Sequence, residues 1–303
     1  MANLAVTVAG VTLKNPVITA SGCCGFGREY EQFFPLSALG GIALKGMTLA
    51  PRGGNPPHRI AETPAGMLNS VGLQNTGVEA FLQSDMEYLR RSGTVVIANI
   101  AGSTAEDYCA LAERLSDSDV DMFELNISCP NVKEGGVAFG TSCSAVENIV
   151  GLVRRHARKP LMVKLSPNVA DIAEIARAAE AAGADALSLI NTITGMRIDI
   201  DSRRPVLRNN VGGLSGPAVF PVAVRMVWQA ASAVKLPVVG LGGISNWRDA
   251  IEMMMAGAVA VQVGTALFAD PMAPVKIIEG MGEWLQSQGI EDINEIVGTV
   301  RPW

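Results

Sequence analysis

The stretch ELNISCPNVKEGGVAFG, residues 124–140, begins in a short apolar strand and continues into a glycine-rich loop. Pro130 has no backbone N–H and disfavours helical dihedrals at Cys129, so the thiol is expected to project from a rigid turn at the strand end. Asn126 and Asn131 add neutral hydrogen-bonding groups, which suit a planar polar ligand better than a metal. The alternative is a buried structural cysteine in a strand-to-helix loop.

The composition is that of a large apolar core with few charges. Hydrophobic residues make up 49% of the 303 residues and charged residues 17%, which is enough to bury the core of one α/β barrel or of two smaller domains. The net charge is −5, and no basic stretch is interleaved with aromatic residues, which argues against a nucleic-acid partner. No basic leader precedes an apolar segment, and no apolar run is long enough to span a bilayer. We therefore expect a cytoplasmic protein without membrane contact.

The cysteines and histidines do not form the pattern of a metal centre. None of the five cysteines belongs to a C-x-x-C pair, so no disulfide framework and no zinc or iron–sulfur site is indicated. Cys109 and Cys143 fall in helical patterns and are expected to be structural. Two histidines offer little from which to build a Ser-His-Asp triad. The adjacent Cys23 and Cys24 receive no role.

Short apolar runs alternate with helical patterns along the chain. A hairpin is predicted over residues 4–14, and the eight runs after it are almost continuously hydrophobic, as expected of strands buried on both faces. These strands are predicted at 16–20, 41–45, 94–100, 122–127, 161–165, 186–191, 238–241 and 259–263. Helices are predicted at 78–91, 105–116, 145–157, 169–182, 219–234, 247–256 and 274–288. Eight strand-then-helix units indicate an α/β fold, a (β/α)8 TIM barrel, formed by residues 1–303 as a single domain.

Two longer segments interrupt this alternation. Residues 46–77 follow the second predicted strand, and residues 192–216 follow the sixth. Both come after the carboxyl end of a strand, which is where barrels carry their active sites. We therefore interpret them as insertions that build the site and not as linkers between domains.

Polar residues and glycines lie near or just after the ends of all eight predicted strands. In strand order they are Ser21 and Gly22, Lys45, Asn99, Asn126 and Cys129, Lys164, Asn191 and Thr192, Gly242 and Gly243, and Gly264 and Thr265. In a barrel these positions converge on one face. One such residue alone is commonly structural, but the whole set predicts a binding site.

The residue types in this set indicate a flavin site. GLGGIS at 240–245 and VGTALF at 263–268 predict backbone amides that hold a phosphate, while no dinucleotide or triphosphate fingerprint occurs. Lys45 and Lys164 either reach solvent at the strand tips or supply cations beside a flavin and a substrate carboxylate. The set favours a flavin mononucleotide enzyme that acts on a planar, amide-like anion, with Cys129 as general base.

Nine motifs spread over the whole chain resemble the class 1 dihydroorotate dehydrogenases. They are ASG at 20–22, LKG at 44–46, NSVGLQN at 69–75, NISCPN at 126–131, VKLSP at 163–167, INT at 190–192, GGLSG at 212–216, GGI at 242–244 and VGTAL at 263–267. The resemblance implies a TIM barrel that uses FMN to oxidise (S)-dihydroorotate to orotate in the de novo biosynthesis of the pyrimidine nucleotide UMP.

The same resemblance implies a set of ligand contacts. One FMN per chain would contact Ser21, Lys45, Gly46, Asn99, Asn126, Lys164, Ile190, Gly216, Gly242, Gly243, Gly264 and Thr265. Orotate would be held by Lys45, Asn69, Ser70, Val71, Gly72, Leu73, Asn126, Asn191 and Thr192. Cys129 matches the family's catalytic base, which takes the proton from C5 while a hydride leaves C6 for flavin N5.

The loop after Cys129 helps to distinguish the two subclasses of class 1 dihydroorotate dehydrogenases. It reads NVKEGGVAFG, without a second proline-rich turn, and is more similar to the NAD-linked class 1B catalytic subunit than to the fumarate-linked class 1A homodimer. Class 1B implies a homodimeric core joined by an electron-transfer subunit that carries FAD and a [2Fe-2S] cluster. The assembly would be a heterotetramer of two catalytic and two electron-transfer chains. The sequence itself has neither a cysteine cluster nor a dinucleotide fingerprint.

Several alternatives stay open at this point. The class 1A enzyme differs in its electron acceptor. A dihydropyrimidine dehydrogenase-like subunit shares the barrel and the flavin, but its acid cysteine lies further along the loop, where Phe139 stands here. A transfer-RNA dihydrouridine synthase needs a basic surface, which the acidic balance disfavours. A barrel isomerase or phosphate-binding scaffold without flavin would be colourless.

Overall fold

The structure, a computed structural model, describes residues 2–127 and 139–303. Eight parallel strands close into a barrel in chain order, which confirms the predicted TIM barrel. The strands are β1 (Val17–Thr19), β2 (Gly41–Ala43), β3 (Val95–Ile100), β4 (Met122–Asn126), β5 (Leu161–Lys164), β6 (Ala186–Leu189), β7 (Val238–Leu241) and β8 (Ala258–Val263). Nearly all of their residues are buried, and this two-sided burial explains the continuous apolar runs.

Helices surround the barrel. In the described residues they are α1 (Val78–Ser84), α2 (Met86–Arg91), α3 (Ala105–Ser116), α4 (Cys143–His156), α5 (Ile172–Ala181), α6 (Phe220–Ala233), α7 (Trp247–Met255), α8 (Ala266–Ala269) and α9 (Ala273–Gln288). Side-chain caps start several of them; for example, Thr104 and Asp107 form a capping box at α3. None of the helices within residues 2–127 and 139–303 combines the length and apolar character needed to cross a membrane.

The prediction of one helix over residues 78–91 is wrong. The segment forms two helices, α1 and α2, that meet at Asp85. The Asp85 carboxylate accepts a hydrogen bond of 2.9 Å from Arg28 Nε, so it is held by a residue that is distant in sequence. Helical periodicity alone carries no information about this long-range ion pair.

The N-terminal hairpin is present, with strands Val6–Val8 and Val11–Leu13 paired antiparallel. Its two turn residues, Ala9 and Gly10, have φ values of 49° and 81°, as a tight hairpin turn requires. Nearby, Asn3 Nδ2 donates a hydrogen bond of 2.9 Å to Asp292 Oδ2, which ties the start of the described chain to a segment near its end.

The two insertions combine into one four-stranded antiparallel sheet, which was not predicted. Its strand order is Ile193–Gly195, Gly212–Ser215, Gly66–Asn69 and Ile60–Thr63, so the first insertion pairs with the second. Both insertions follow carboxyl ends of barrel strands. The sheet therefore belongs to the face of the barrel on which the predicted site residues converge.

Candidate active site

A cavity of about 880 Å³ opens at the carboxyl ends of the barrel strands. Residues at or just after the carboxyl ends of seven of the eight strands line it, and the insertion sheet supplies further lining residues such as Met67 and Leu214. A volume of this size can bury a drug-sized cofactor and a small substrate. The predicted convergence of the strand ends on one face is confirmed for these seven strands, which all contribute to this cavity.

Most of the residues predicted to bind ligands line this cavity. From the predicted FMN set, the lining includes Ser21, Lys45, Gly46, Asn126, Lys164, Ile190, Gly216, Gly242, Gly243, Gly264 and Thr265. From the predicted orotate set, it includes Lys45, Asn69, Val71, Leu73, Asn126, Asn191 and Thr192. Their roles toward FMN and orotate stay predictions.

Three predicted contacts, Asn99, Ser70 and Gly72, are not among the lining residues. Asn99 is fully buried in the barrel and donates from Nδ2 to Glu124 Oε2 at 2.6 Å. Ser70 is 1% exposed, and its backbone oxygen accepts a hydrogen bond from the Asn55 side chain. Gly72 has a φ of 76°, and a Cβ there would lie 2.6 Å from Asn55 Cγ. The last two residues therefore pack the loop behind the lining side chains.

The two predicted lysines, Lys45 and Lys164, both line the cavity. Lys164 is 5% exposed, which excludes the alternative that it extends into solvent, and its Nζ lies 3.5 Å from Glu124 Oε2. Lys45 is half-buried and lines the cavity. Burial raises the pKa of the Cys23 thiol to about 11, while Lys164 and Lys45 act in the opposite direction. Both ammonium groups therefore lie close enough to Cys23, a residue of the cavity wall, to lower the pKa of its thiol.

Three asparagine side chains, Asn69, Asn126 and Asn191, also line the cavity. Asn191 Nδ2 faces Asn126 Oδ1 at 3.5 Å, and Asn191 Oδ1 accepts a hydrogen bond of 2.8 Å from the backbone N–H of Thr192. Asn69 Nδ2 lies 3.4 Å from the backbone oxygen of Gly213 on the insertion sheet. Together they offer directional donors and acceptors without charge, which is the chemistry that recognises an amide-bearing ring.

The glycines after β7 lie against the loop that leaves the insertion sheet. Gly242 and Gly243 have φ values of 122° and 79°, which side chains rarely adopt. A Cβ on Gly243 would lie 2.9 Å from the backbone oxygen of Gly216. Thr265, after β8, donates a hydrogen bond of 2.8 Å to Ser215. These backbone segments converge at one end of the cavity, where a phosphate was predicted.

Glu124 and Gln262 were not predicted as site residues. Glu124 is fully buried and accepts hydrogen bonds from Asn99, Ser188 and Gln262, at 2.6, 2.9 and 2.7 Å respectively. Gln262 is 1% exposed and lines the cavity. Each is a polar residue within a mostly apolar strand, and this departure from the apolar pattern was the available signal.

The predicted base, Cys129, and most of the loop at residues 133–140 lie outside the described residues. The segments that flank them are described. Tyr108 donates from its hydroxyl to the backbone oxygen of Asn126 at 2.7 Å, and its ring meets Phe139 edge-on at 6.0 Å. Within residues 2–127 and 139–303, no cluster of three His, Cys, Asp or Glu side chains has the arrangement of a metal site.

Comparisons with known proteins agree with this geometry. A family model described as dihydroorotate dehydrogenase matches residues 3–285. The chain is 57% identical over 296 residues to the catalytic subunit of dihydroorotate dehydrogenase B (NAD(+)) of Alkaliphilus oremlandii, covering 98% of both chains. It is 55% identical over 299 residues to the subunit of the same name from Lachnoclostridium phytofermentans, covering 99% of this chain and 100% of the relative. The resemblance inferred from the motifs is confirmed, and the chain belongs to the dihydroorotate dehydrogenase family.

Proposed function

We propose that this chain is the catalytic subunit of an NAD-linked dihydroorotate dehydrogenase, which oxidises (S)-dihydroorotate to orotate in the de novo biosynthesis of UMP. The observation that carries the proposal is the cavity wall, where two lysines and the asparagines 69, 126 and 191 are brought together from different strands and from an insertion. Cations and amides in this combination suit a planar ring that bears a carboxylate and imide groups.

FMN is the proposed resident cofactor, and the chain offers groups that fit it. The Gly242, Gly243, Gly264 and Thr265 region would hold the phosphate, and Lys164 would lie beside the ring. Two buried amide oxygens, Asn99 Oδ1 and Gln262 Oε1, have no hydrogen-bond partner in the described part of the chain, and they can accept from a ring N–H. When bound, FMN supplies the acceptor for the hydride that leaves C6 of dihydroorotate.

The substrate would lie against Lys45 and the three asparagine side chains that line the cavity. In this proposal Lys45 pairs with the carboxylate, while Asn69, Asn126 and Asn191 donate to and accept from the ring. Thr192 and the loop at residues 70–73 complete the pocket. Neutral amides can hold the imide of both dihydroorotate and orotate, so they orient the ring without competing for the proton that is removed.

Cys129 is proposed to remove the C5 proton. It follows Asn126, a cavity-lining residue, by three positions in the sequence, and a proline at position 130 disfavours helical dihedrals at the residue before it. A thiolate is the active form of a cysteine base, so its population and therefore the rate rise as pH approaches the pKa of an ordinary thiol, about 8.5.

The proposal includes a partner. The relatives named above are each called a catalytic subunit. We infer an electron-transfer subunit that bears FAD and a [2Fe-2S] cluster and passes electrons to NAD⁺. Two catalytic and two electron-transfer chains would form a heterotetramer around a homodimeric core. We also propose that the protein is cytoplasmic and that residues 1–303 form one FMN-binding domain.

An anaerobic half-reaction tests the function and the subtype together. The purified chain is reduced with dihydroorotate, and the flavin absorbance is followed after fumarate or NAD⁺ is added. We expect dihydroorotate to bleach the flavin, and neither acceptor to restore its colour until the electron-transfer subunit is present with NAD⁺. Prompt recovery with fumarate alone would identify a class 1A enzyme. A chain that remains colourless with added FMN would contradict the redox function.

A further inference from the structure

We propose that Glu124 is a positioning residue, which orients the amides of Asn99 and Gln262 and the ammonium of Lys164 toward the flavin ring. The proposal rests on FMN binding in the cavity, as proposed above. Glu124 lies on β4, fully buried inside the barrel, and its four polar neighbours come from β3, β5, β6 and β8. It therefore connects five of the eight barrel strands beneath one wall of the cavity.

The contacts of Glu124 determine which way the two amides face. A carboxylate has no hydrogen to donate, so an amide beside it turns its nitrogen inward. Asn99 Nδ2 donates to Oε2 at 2.6 Å, and Gln262 Nε2 donates to Oε1 at 2.7 Å. The amide oxygens must then face away from the carboxylate. An amide can present either its N–H₂ group or its oxygen to a ligand. Glu124 thereby fixes Asn99 and Gln262 in the orientation that presents the oxygen, a hydrogen-bond acceptor.

These two oxygens lie close to the cavity wall. Asn99 Oδ1 and Gln262 Oε1 are buried, and within the described residues neither has a hydrogen-bond partner. Gln262 lines the cavity, and Asn99 Oδ1 lies 2.9 Å from the point that a Cβ on Gly46, a lining residue, would occupy. An orphaned buried acceptor is costly, so two of them beside one cavity indicate a ligand that donates hydrogen bonds there. The imide N–H of a flavin is such a donor.

The charge of Glu124 has a separate effect. Its Oε2 lies 3.5 Å from Lys164 Nζ, in surroundings from which water is largely excluded. Lys164 favours a reduced, anionic flavin, and the carboxylate behind it offsets part of that preference. Glu124→Gln removes this negative charge and also forces at least one neighbouring amide to turn its N–H₂ group toward the cavity. The loss of the charge disfavours oxidised FMN relative to reduced FMN, whereas the turned amide weakens the binding of both forms, because both carry the imide N–H.

The test measures FMN binding and redox preference in the full chain. For Glu124→Gln we expect about tenfold weaker binding of oxidised FMN by fluorescence titration. We also expect the ratio of affinities for reduced and oxidised FMN to rise about tenfold, which is a positive shift of ~30 mV for a two-electron couple. A purely structural role would lower the unfolding midpoint without moving this ratio. A folded Glu124→Gln protein with wild-type affinity and potential would overturn the inference.

Ser188→Ala is the matched control, because it removes one hydrogen bond to Glu124 Oε1 while both amides, the carboxylate and Lys164 remain. We expect its affinity ratio to stay within about twofold of wild type; a shift as large as that of Glu124→Gln would overturn the inference.

A second variant, Gln262→Met, tests the proposal if Glu124→Gln does not fold. It should weaken binding of oxidised FMN, and unchanged affinity would count against the proposal. Failure of the wild-type chain to bind FMN would overturn the proposed function as well.

Discussion

Tyr108 on α3 donates a hydrogen bond of 2.7 Å to the backbone oxygen of Asn126, the last residue of β4. Tyr108 is 1% exposed. A helix is thus attached to the strand end that precedes the proposed catalytic turn. Because Asn126 also lines the cavity, the bond links the packing of α3 to the position of a site residue.

Tyr108→Phe should lower the free energy of unfolding by about 1 kcal/mol, since it removes one buried hydrogen bond. It should also slow flavin reduction by dihydroorotate, because the strand end loses a restraint. Urea unfolding and stopped-flow absorbance measure the two effects. Tyr88→Phe, on the peripheral helix α2, makes the same chemical change and should leave the reduction rate unaltered. Equal rates in wild type and Tyr108→Phe would show that the restraint is irrelevant to catalysis.

Cys129→Ala should retain FMN and bind orotate but reduce its flavin ~10²- to 10⁴-fold more slowly, which is the range that general-base catalysis contributes. The wild-type rate should increase from pH 6 toward about pH 8.5 as the thiolate forms. Single-turnover reduction across this pH range checks both statements. Cys143→Ala, at the first position of α4, serves as the control and should keep the wild-type profile. A normal reduction rate in Cys129→Ala would refute the assignment of the base.

Cys23 should make the protein less stable at alkaline pH. Although part of its side chain faces the cavity, burial raises its pKa from 9.0 to about 11 against the opposing influence of Lys164 and Lys45. Between these values the unfolded chain loses the thiol proton and the folded chain keeps it, so stability that is present below about pH 9 is lost as pH rises toward 11. Cys23→Ser should lessen this loss. Urea midpoints from pH 8 to 11 provide the measurement; identical slopes for the two proteins would contradict it.

Gly243→Ala should weaken FMN binding at least tenfold and lower stability. Gly243 has a φ of 79°, and the added Cβ would lie 2.7 Å from Phe220 Cβ and 2.9 Å from the Gly216 oxygen. The backbone would have to move where the phosphate is proposed to bind. Fluorescence titration with FMN and thermal unfolding would report the two losses.

Gly151→Ala is the control for this glycine substitution. Gly151 lies within α4, and a Cβ there would meet no atom within 4 Å. Replacing a glycine in an open helical position should raise stability by roughly 0.5 to 1 kcal/mol and leave FMN affinity unchanged. Wild-type FMN affinity in Gly243→Ala would argue against a phosphate site beside β7.

The amino-acid sequence determined the barrel and most of its site. Strands that are buried on both faces must be largely apolar, so runs such as 161–165 and 238–241 could be recognised as strands without knowing which strands they pair with. Chain order then placed Lys45, Lys164 and Gly243 at the same end of the barrel, because every parallel strand presents its carboxyl end to one face. These inferences needed only local composition and the geometry of one fold.

Only the tertiary structure decided the contacts between segments that are distant in the chain. Asn69 and Gly213 meet in the insertion sheet although 144 positions separate them, and no local pattern specifies such a pairing. Asp85 divides α1 from α2 beside Arg28. The partners of Glu124 likewise come from four other strands. Pairing, ion pairs and buried polar networks depend on which side chains the closed barrel brings within hydrogen-bonding distance, whereas periodicity reports only which residues are buried.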